Sequence, residues 1–169
     1  MNLYQHPVIE EIFANHGKDV VLELSRLLFS KDENIHRCGA RLLYSINDFS
    51  ALPIVLDYLA CAGERERSDM TYALWKFRNQ RSVLEVALSH GNHVPRAAVV
   101  RVVAFSDSMS VIDLLERAAA DTHPKVRLEV MECIKLLRDR HSESPKVVAI
   151  VNIGLIDSDS HVRRATALA

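Results

Sequence analysis

Apolar residues recur along this chain in helical stripes separated by short polar turns, and the clearest stripe lies in 121–138. With Val126 as a zero position, Val130, Cys133, Ile134 and Leu137 follow at plus 4, 7, 8 and 11, one face of an amphipathic helix. The same numbering from Ile35 puts Gly39, Leu42, Leu43 and Ile46 on that stripe. From Glu66 it selects Met70, Ala73, Leu74 and Phe77, and from Val94 it selects Ala98, Arg101, Val102 and Phe105. A last copy starts at Val162 and reaches Thr166 and Ala169. Glu66 and Arg101 are the two charged interruptions. Successive zero positions stand 31, 28, 32 and 36 residues apart (66−35, 94−66, 126−94, 162−126), the length of two helices and two turns.

A second set of helices alternates with these. Val20, Val21, Leu24, Leu27 and Leu28 follow Asp19, and Ile54, Val55, Tyr58 and Leu59 follow Ser50 with Pro53 in the first turn. Ser82 with Glu85, and Ser110 with Asp113, have capping-box spacing ahead of further apolar runs. Ser144-Pro145 opens the helix holding Val147, Val148, Ile150 and Val151. No run alternates with a period of two. The pattern predicts an all-α chain of about ten paired helices forming one domain over 1–169. Small or medium residues at plus 4 (Gly39, Met70, Ala98, Val130, Thr166) let neighbouring helices approach.

Two turns carry a resemblance. His123-Pro124-Lys125-Val126-Arg127 and Asp157-Ser158-Asp159-Ser160-His161-Val162-Arg163 resemble the Asp/Pro-rich turn and Val-Arg pair of HEAT-like repeats, notably the short repeats of phycobilisome lyases. Asp32 to Arg37 is a looser version. The resemblance implies a right-handed α–α superhelix, a HEAT-like solenoid of about five helical hairpins, whose second helices line the inner face of the curve. It specifies a fold and no ligand. Members of this class serve as protein scaffolds, as lyase subunits and, in one branch, as DNA alkyl-base glycosylases.

Charge and composition narrow the function. The 21 basic and 22 acidic residues leave a net charge of −1, so attraction to nucleic acid or a membrane would need a local patch. The opening MNLYQHPVIEEIF has no signal-peptide pattern, and no apolar run is long enough to span a bilayer, so a cytoplasmic protein with no membrane association is expected. Cys38, Cys61 and Cys133 are widely spaced and read as reduced thiols in a core. His90 and His93 are close enough in sequence to share a metal, but no third ligand has suitable spacing. GxSxG, HExxH and a phosphate-binding glycine loop are all absent from the sequence, so neither an enzyme nor a cofactor is expected.

Two polar patterns remain. Arg127 and Arg163 each follow a zero position and stand beside Asp-rich turns, where they can pair with Asp121, Asp157 or Asp159 of a neighbouring unit. Plus 2, 6 and 9 lie about 200, 240 and 180 degrees from zero, opposite the apolar stripe. Those positions hold Arg37, Arg41 and Tyr44 in the first unit, Ser68, Tyr72 and Trp75 in the second, and Arg96, Val100 and Val103 in the third. Arg, Tyr and Trp are the side chains most enriched at binding hot spots. Arg37, Arg41, Tyr44, Tyr72, Trp75 and Arg96 are therefore the expected binding surface of a noncatalytic scaffold or adaptor for a protein partner. A nucleic-acid-binding or DNA-repair protein, and a lyase-like or cofactor-handling subunit, are the alternatives.

Overall fold

The computed structural model describes residues 19–20, 23–24, 26–32, 35, 39, 52–64, 67, 71, 74–106, 112–141 and 144–169. Among them every regular element is helical. The elements are α1 (Leu52–Cys61), a 3-10 turn (Trp75–Phe77), α2 (Arg81–Leu88), α3 (His93–Val103), α4 (Ile112–Ala119), α5 (Pro124–His141), α6 (Pro145–Leu155) and α7 (Ser160–Ala167). The chain divides into two compact units, Met1–Lys76 and Phe77–Ala169.

In the first unit Leu24, Leu28, Leu52, Val55, Leu56, Tyr58, Leu59 and Leu74 are buried. Tyr58 meets the ring of Phe29 edge-on, with centroids 5.9 Å apart. At Gly39 the plus-4 position has no room for a side chain: a Cβ there would stand 2.9 Å from Leu27 Cβ and 3.0 Å from the Leu28 amide nitrogen. The expected stripe breaks at its first member, since Ile35 is exposed. Cys61 is also exposed, at the end of α1 and away from the core expected for it.

The second unit is built from three hairpins, α2–α3, α4–α5 and α6–α7. Helices α2, α4 and α6 pack side by side in one layer, and α3, α5 and α7 form the other. The core between and within these layers includes Leu84, Val99, Leu114, Leu115, Val130, Met131, Ile134, Ile150 and Val162. A Cβ on Gly154 would stand 2.7 Å from Met131 Sδ and also strike Thr166 Oγ1, so α6 can approach α5 and α7 this closely only without a side chain. Cys133 is buried as expected; its thiol donates to the Val100 carbonyl at 3.2 Å, and burial pushes its pKa up.

Several local expectations shift. The α2 helix starts at Arg81, and its N-cap, Gln80, makes no side-chain cap bond, so Ser82 and Glu85 form no capping box. Glu85 instead accepts from Arg81 Nε at 2.8 Å. Ser144 and Pro145 do start α6, through the proline at the first helical position and without a side-chain cap bond.

The third repeat begins at Pro95 rather than Val94. Pro95 is buried, and Val99, Val102, Val103 and Ser106 then fall at plus 4, 7, 8 and 11, all buried. This one-residue slip explains the Arg101 interruption: Arg101 is exposed at plus 6 and reaches Glu129 of α5. Phe105, expected in the stripe, becomes plus 10 and is exposed.

Candidate functional site: an arginine–aspartate ladder and the exposed face beside it

The three hairpin turns of the second unit are built alike. They run His90-Gly91-Asn92-His93-Val94-Pro95-Arg96, Asp121-Thr122-His123-Pro124-Lys125-Val126-Arg127 and Asp157-Ser158-Asp159-Ser160-His161-Val162-Arg163. In each, the first side chain accepts the backbone N–H of the third residue: Asn92 N to His90 Nδ1 at 3.1 Å, His123 N to Asp121 Oδ1 at 2.8 Å, and Asp159 N to Asp157 Oδ1 at 2.8 Å. The third side chain then caps the next helix. Asn92 Oδ1 accepts from Val94 N at 2.8 Å, His123 Nδ1 from Lys125 N at 3.2 Å, and Asp159 Oδ1 from His161 N at 2.8 Å. These bonds satisfy donors that a helix start leaves open. In the first unit, 30–35 repeats the idea: Ser30 Oγ accepts from Asp32 N at 3.2 Å, and Asp32 Oδ1 accepts from Ile35 N at 3.2 Å.

The closing arginine ties one turn to the next. Arg127 donates Nη1 to the carbonyls of Asp121 (2.9 Å) and Thr122 (3.3 Å), and grips Asp157 with Nε (2.7 Å) and Nη2 (2.8 Å). Arg96 does the same one repeat earlier. Its Nη1 donates to His90 O (2.8 Å) and Gly91 O (3.1 Å), and its Nε and Nη2 hold Asp121 at 2.8 and 2.9 Å. Side-chain exposures are 12% and 11% for Arg96 and Asp121, and 12% and 5% for Arg127 and Asp157, which makes these forked pairs largely desolvated. The Arg127 hydrogen bonds outweigh desolvation and hold the Asp157 carboxyl below its ordinary pKa. Burial pushes the Asp121 carboxyl up, yet the bonds from Arg96 and the His123 amide together win and lower it.

The imidazoles of His93 and His123 stack over this ridge, with centroids 3.6 Å apart and planes within 6°. A cleft of about 340 Å³ opens between the first two turns, lined in part by His90, Arg96, Arg117, Asp121 and Thr122. Its best-placed cation, Arg96, is already committed to Asp121. The Nδ1 atoms of His90 and His123 accept turn amides. No group of three or more His, Cys, Asp or Glu side chains among the described residues could hold a metal.

The sequence-derived surface is placed only in part. Arg37, Arg41, Tyr44 and Tyr72 lie outside the described residues. Trp75 is half-buried in the 3-10 turn of the first unit. Arg96 belongs to the ladder, in the same structural position as Arg127, because the register slip moves it from plus 2 to plus 1. Val100 and Val103, from the same expected row, are buried. The pairing anticipated for Arg127 with Asp157 is present.

Sequence reasoning missed a different row. In the Pro95 register, Phe105 and Leu136 both occupy plus 10 and are 52% and 54% exposed. Beside them Arg101 Nε donates to Glu129 Oε2 at 2.7 Å, bridging α3 and α5. Lys135 and Glu132 pair at 2.8 Å. Had Arg101 been treated as a register error, this row would have been legible.

No protein-family model matches the chain, and no curated protein is significantly similar to it. Among the described residues, no helix is long and apolar enough to cross a membrane.

Proposed function

We propose that the chain is a noncatalytic HEAT-like α-solenoid, a scaffold or adaptor that binds a protein partner through the face of its second helices. The observation that carries the proposal is the row of Phe105 and Leu136, two large apolar side chains about half exposed at one repeat position. On the same two helices Arg101 pairs with Glu129 and Lys135 with Glu132, so the nearby charges in sequence are already paired across or along the helices. A desolvated apolar centre with a polar rim is the anatomy of a protein interface. The Arg96–Asp121 and Arg127–Asp157 forks support the scaffold reading, since they tie each turn to its neighbour and fix the starts of α3 and α5. The nucleic-acid alternative loses Arg96, whose charge is spent on Asp121.

A photo-crosslinking amino acid at position 105 should capture a specific protein partner in the native host. Phe105→Ser with Leu136→Ser should then weaken that purified partner's binding at least tenfold, while the helical circular dichroism stays unchanged. Binding should respond weakly to salt, unlike phosphate contacts. A partner whose affinity survives the double substitution overturns the proposal.

A further inference from the structure

The three hairpin turns differ in what a proton can do to them. Their first position holds His90, Asp121 and Asp157, and their third holds Asn92, His123 and Asp159. Each of these side chains accepts a backbone N–H. Asp121, Asp157, Asn92 and Asp159 do so through oxygen, which keeps accepting throughout the near-neutral range. His90 and His123 do so through Nδ1, at 3.1 Å from Asn92 N and 3.2 Å from Lys125 N. A ring nitrogen accepts only through its lone pair, so both bonds require the neutral imidazole with its hydrogen on Nε2. An added proton takes that lone pair and turns Nδ1 into a donor facing another donor.

The surrounding charges are of both signs. Arg96 Nη1 holds the His90 carbonyl, and Arg117 and Asp121 line the same cleft as His90. His123 has the ring of His93 stacked on it, Asp121 accepting its amide, and Lys125 and Arg127 following it in sequence. Asp121 attracts an imidazolium at 123, while the cations oppose one. The stack adds a limit: one charged ring can lie on a neutral one, but two imidazoliums with centroids 3.6 Å apart repel. The third turn has aspartate at both positions and is otherwise closed alike, with Arg163 donating Nη1 to the carbonyls of Asp157 (2.7 Å) and Ser158 (3.0 Å).

We propose that His90 and His123 form a pH-operated latch, independent of the second-helix face. As neutral imidazoles they close the turns that start α3 and α5. Protonation, as pH falls through histidine's usual window from about 7 to 5, releases the Asn92 and Lys125 amides while the aspartate turn stays closed. The two bonds are thus present above that window and absent below it. The Arg96–Asp121 and Arg127–Asp157 forks outlast the change, because their carboxylates titrate below the ordinary carboxylate range. Mild acid therefore loosens two helix starts without unfolding the unit that holds them.

The test follows exchange of single amide protons in the full chain by NMR at about pH 7.5 and about pH 5, corrected for the intrinsic pH dependence of exchange. Asn92 and Lys125 should lose protection about fivefold or more at the lower pH, while Asp159 and His161, held by carboxylates, should keep theirs within about twofold. At the higher pH, the imidazole nitrogen shifts should report hydrogen on Nε2 of both rings. His90→Asp combined with His123→Asp installs the carboxylates that the third turn already carries at those positions. That variant should keep Asn92 and Lys125 protected at both pH values. Hydrogen on Nδ1 of either ring at the higher pH overturns the proposal. So does unchanged protection of Asn92 and Lys125, or an equal acid loss in the double variant. Loss at all four amides together means unfolding of the whole unit and overturns it too.

Discussion

Removing Arg127 should destabilise the chain far more than removing an ordinary surface arginine. Arg127→Ala deletes five hydrogen bonds: two to Asp157, two to the carbonyls of Asp121 and Thr122, and a longer one to Ser158 Oγ. It also leaves the Asp157 carboxylate, 5% exposed, without its counter-ion. Breaking a buried pair from one side costs about 3–5 kcal/mol. The ridge lies at the surface and water can enter once the side chain is gone, so we take the lower end, about 3 kcal/mol. Asp157→Asn keeps the turn bond to Asp159 N and should cost about 2 kcal/mol, since charged hydrogen bonds are worth roughly 1.5–3 kcal/mol. Urea unfolding followed by circular dichroism gives each value, and the double variant closes the cycle. The two substitutions remove one interaction, so the double should fall short of their sum by at least about 1 kcal/mol. Arg163→Ala, with only the carbonyl bonds to lose, should cost well under half as much. Additive losses, or an Arg127→Ala effect within about 0.5 kcal/mol of zero, would refute the ladder as a stabilising device.

Other outcomes follow from packing and protonation. Leu74→Ala and Ile134→Ala each empty a site 1% exposed and should cost about 2–5 kcal/mol by the same unfolding measurement. Gly154→Ala drives a methyl group into Met131 and Thr166 and should cost about 1–3 kcal/mol despite alanine's better helix propensity; an increase in stability would show that α5 and α7 yield easily. Asp121 and Asp157 have lowered pKa values in the folded chain, so their contribution is complete above the ordinary carboxylate range and drains away as pH falls through the lowered values. Stability should therefore drop below about pH 4, and Asp157→Asn should flatten that decline; an unchanged acid slope would count against the forked pairs.

Helix identity and repeat length are local properties, and the sequence determined them. The apolar stripe of α5 is visible at plus 4, 7, 8 and 11 from Val126, because 3.6 residues per turn align those positions whatever they pack against. The Arg127–Asp157 pairing was legible for a similar reason: the arginine recurs at one place beside acidic turns. The exact register needed tertiary contacts. In 94–105 valines lie on several faces, so a stripe drawn from Val94 is plausible despite Arg101, and it takes the burial of Pro95, Val99, Val102 and Val103 and the bonds of Arg96 to Asp121 to set the register at Pro95. Burial at hairpin edges is likewise decided by neighbours. Ala119 and Leu155 hold the same repeat position, and the less apolar of the two is the buried one. Ala119 is buried by the helix that packs beside α4, which no property of the residue itself encodes.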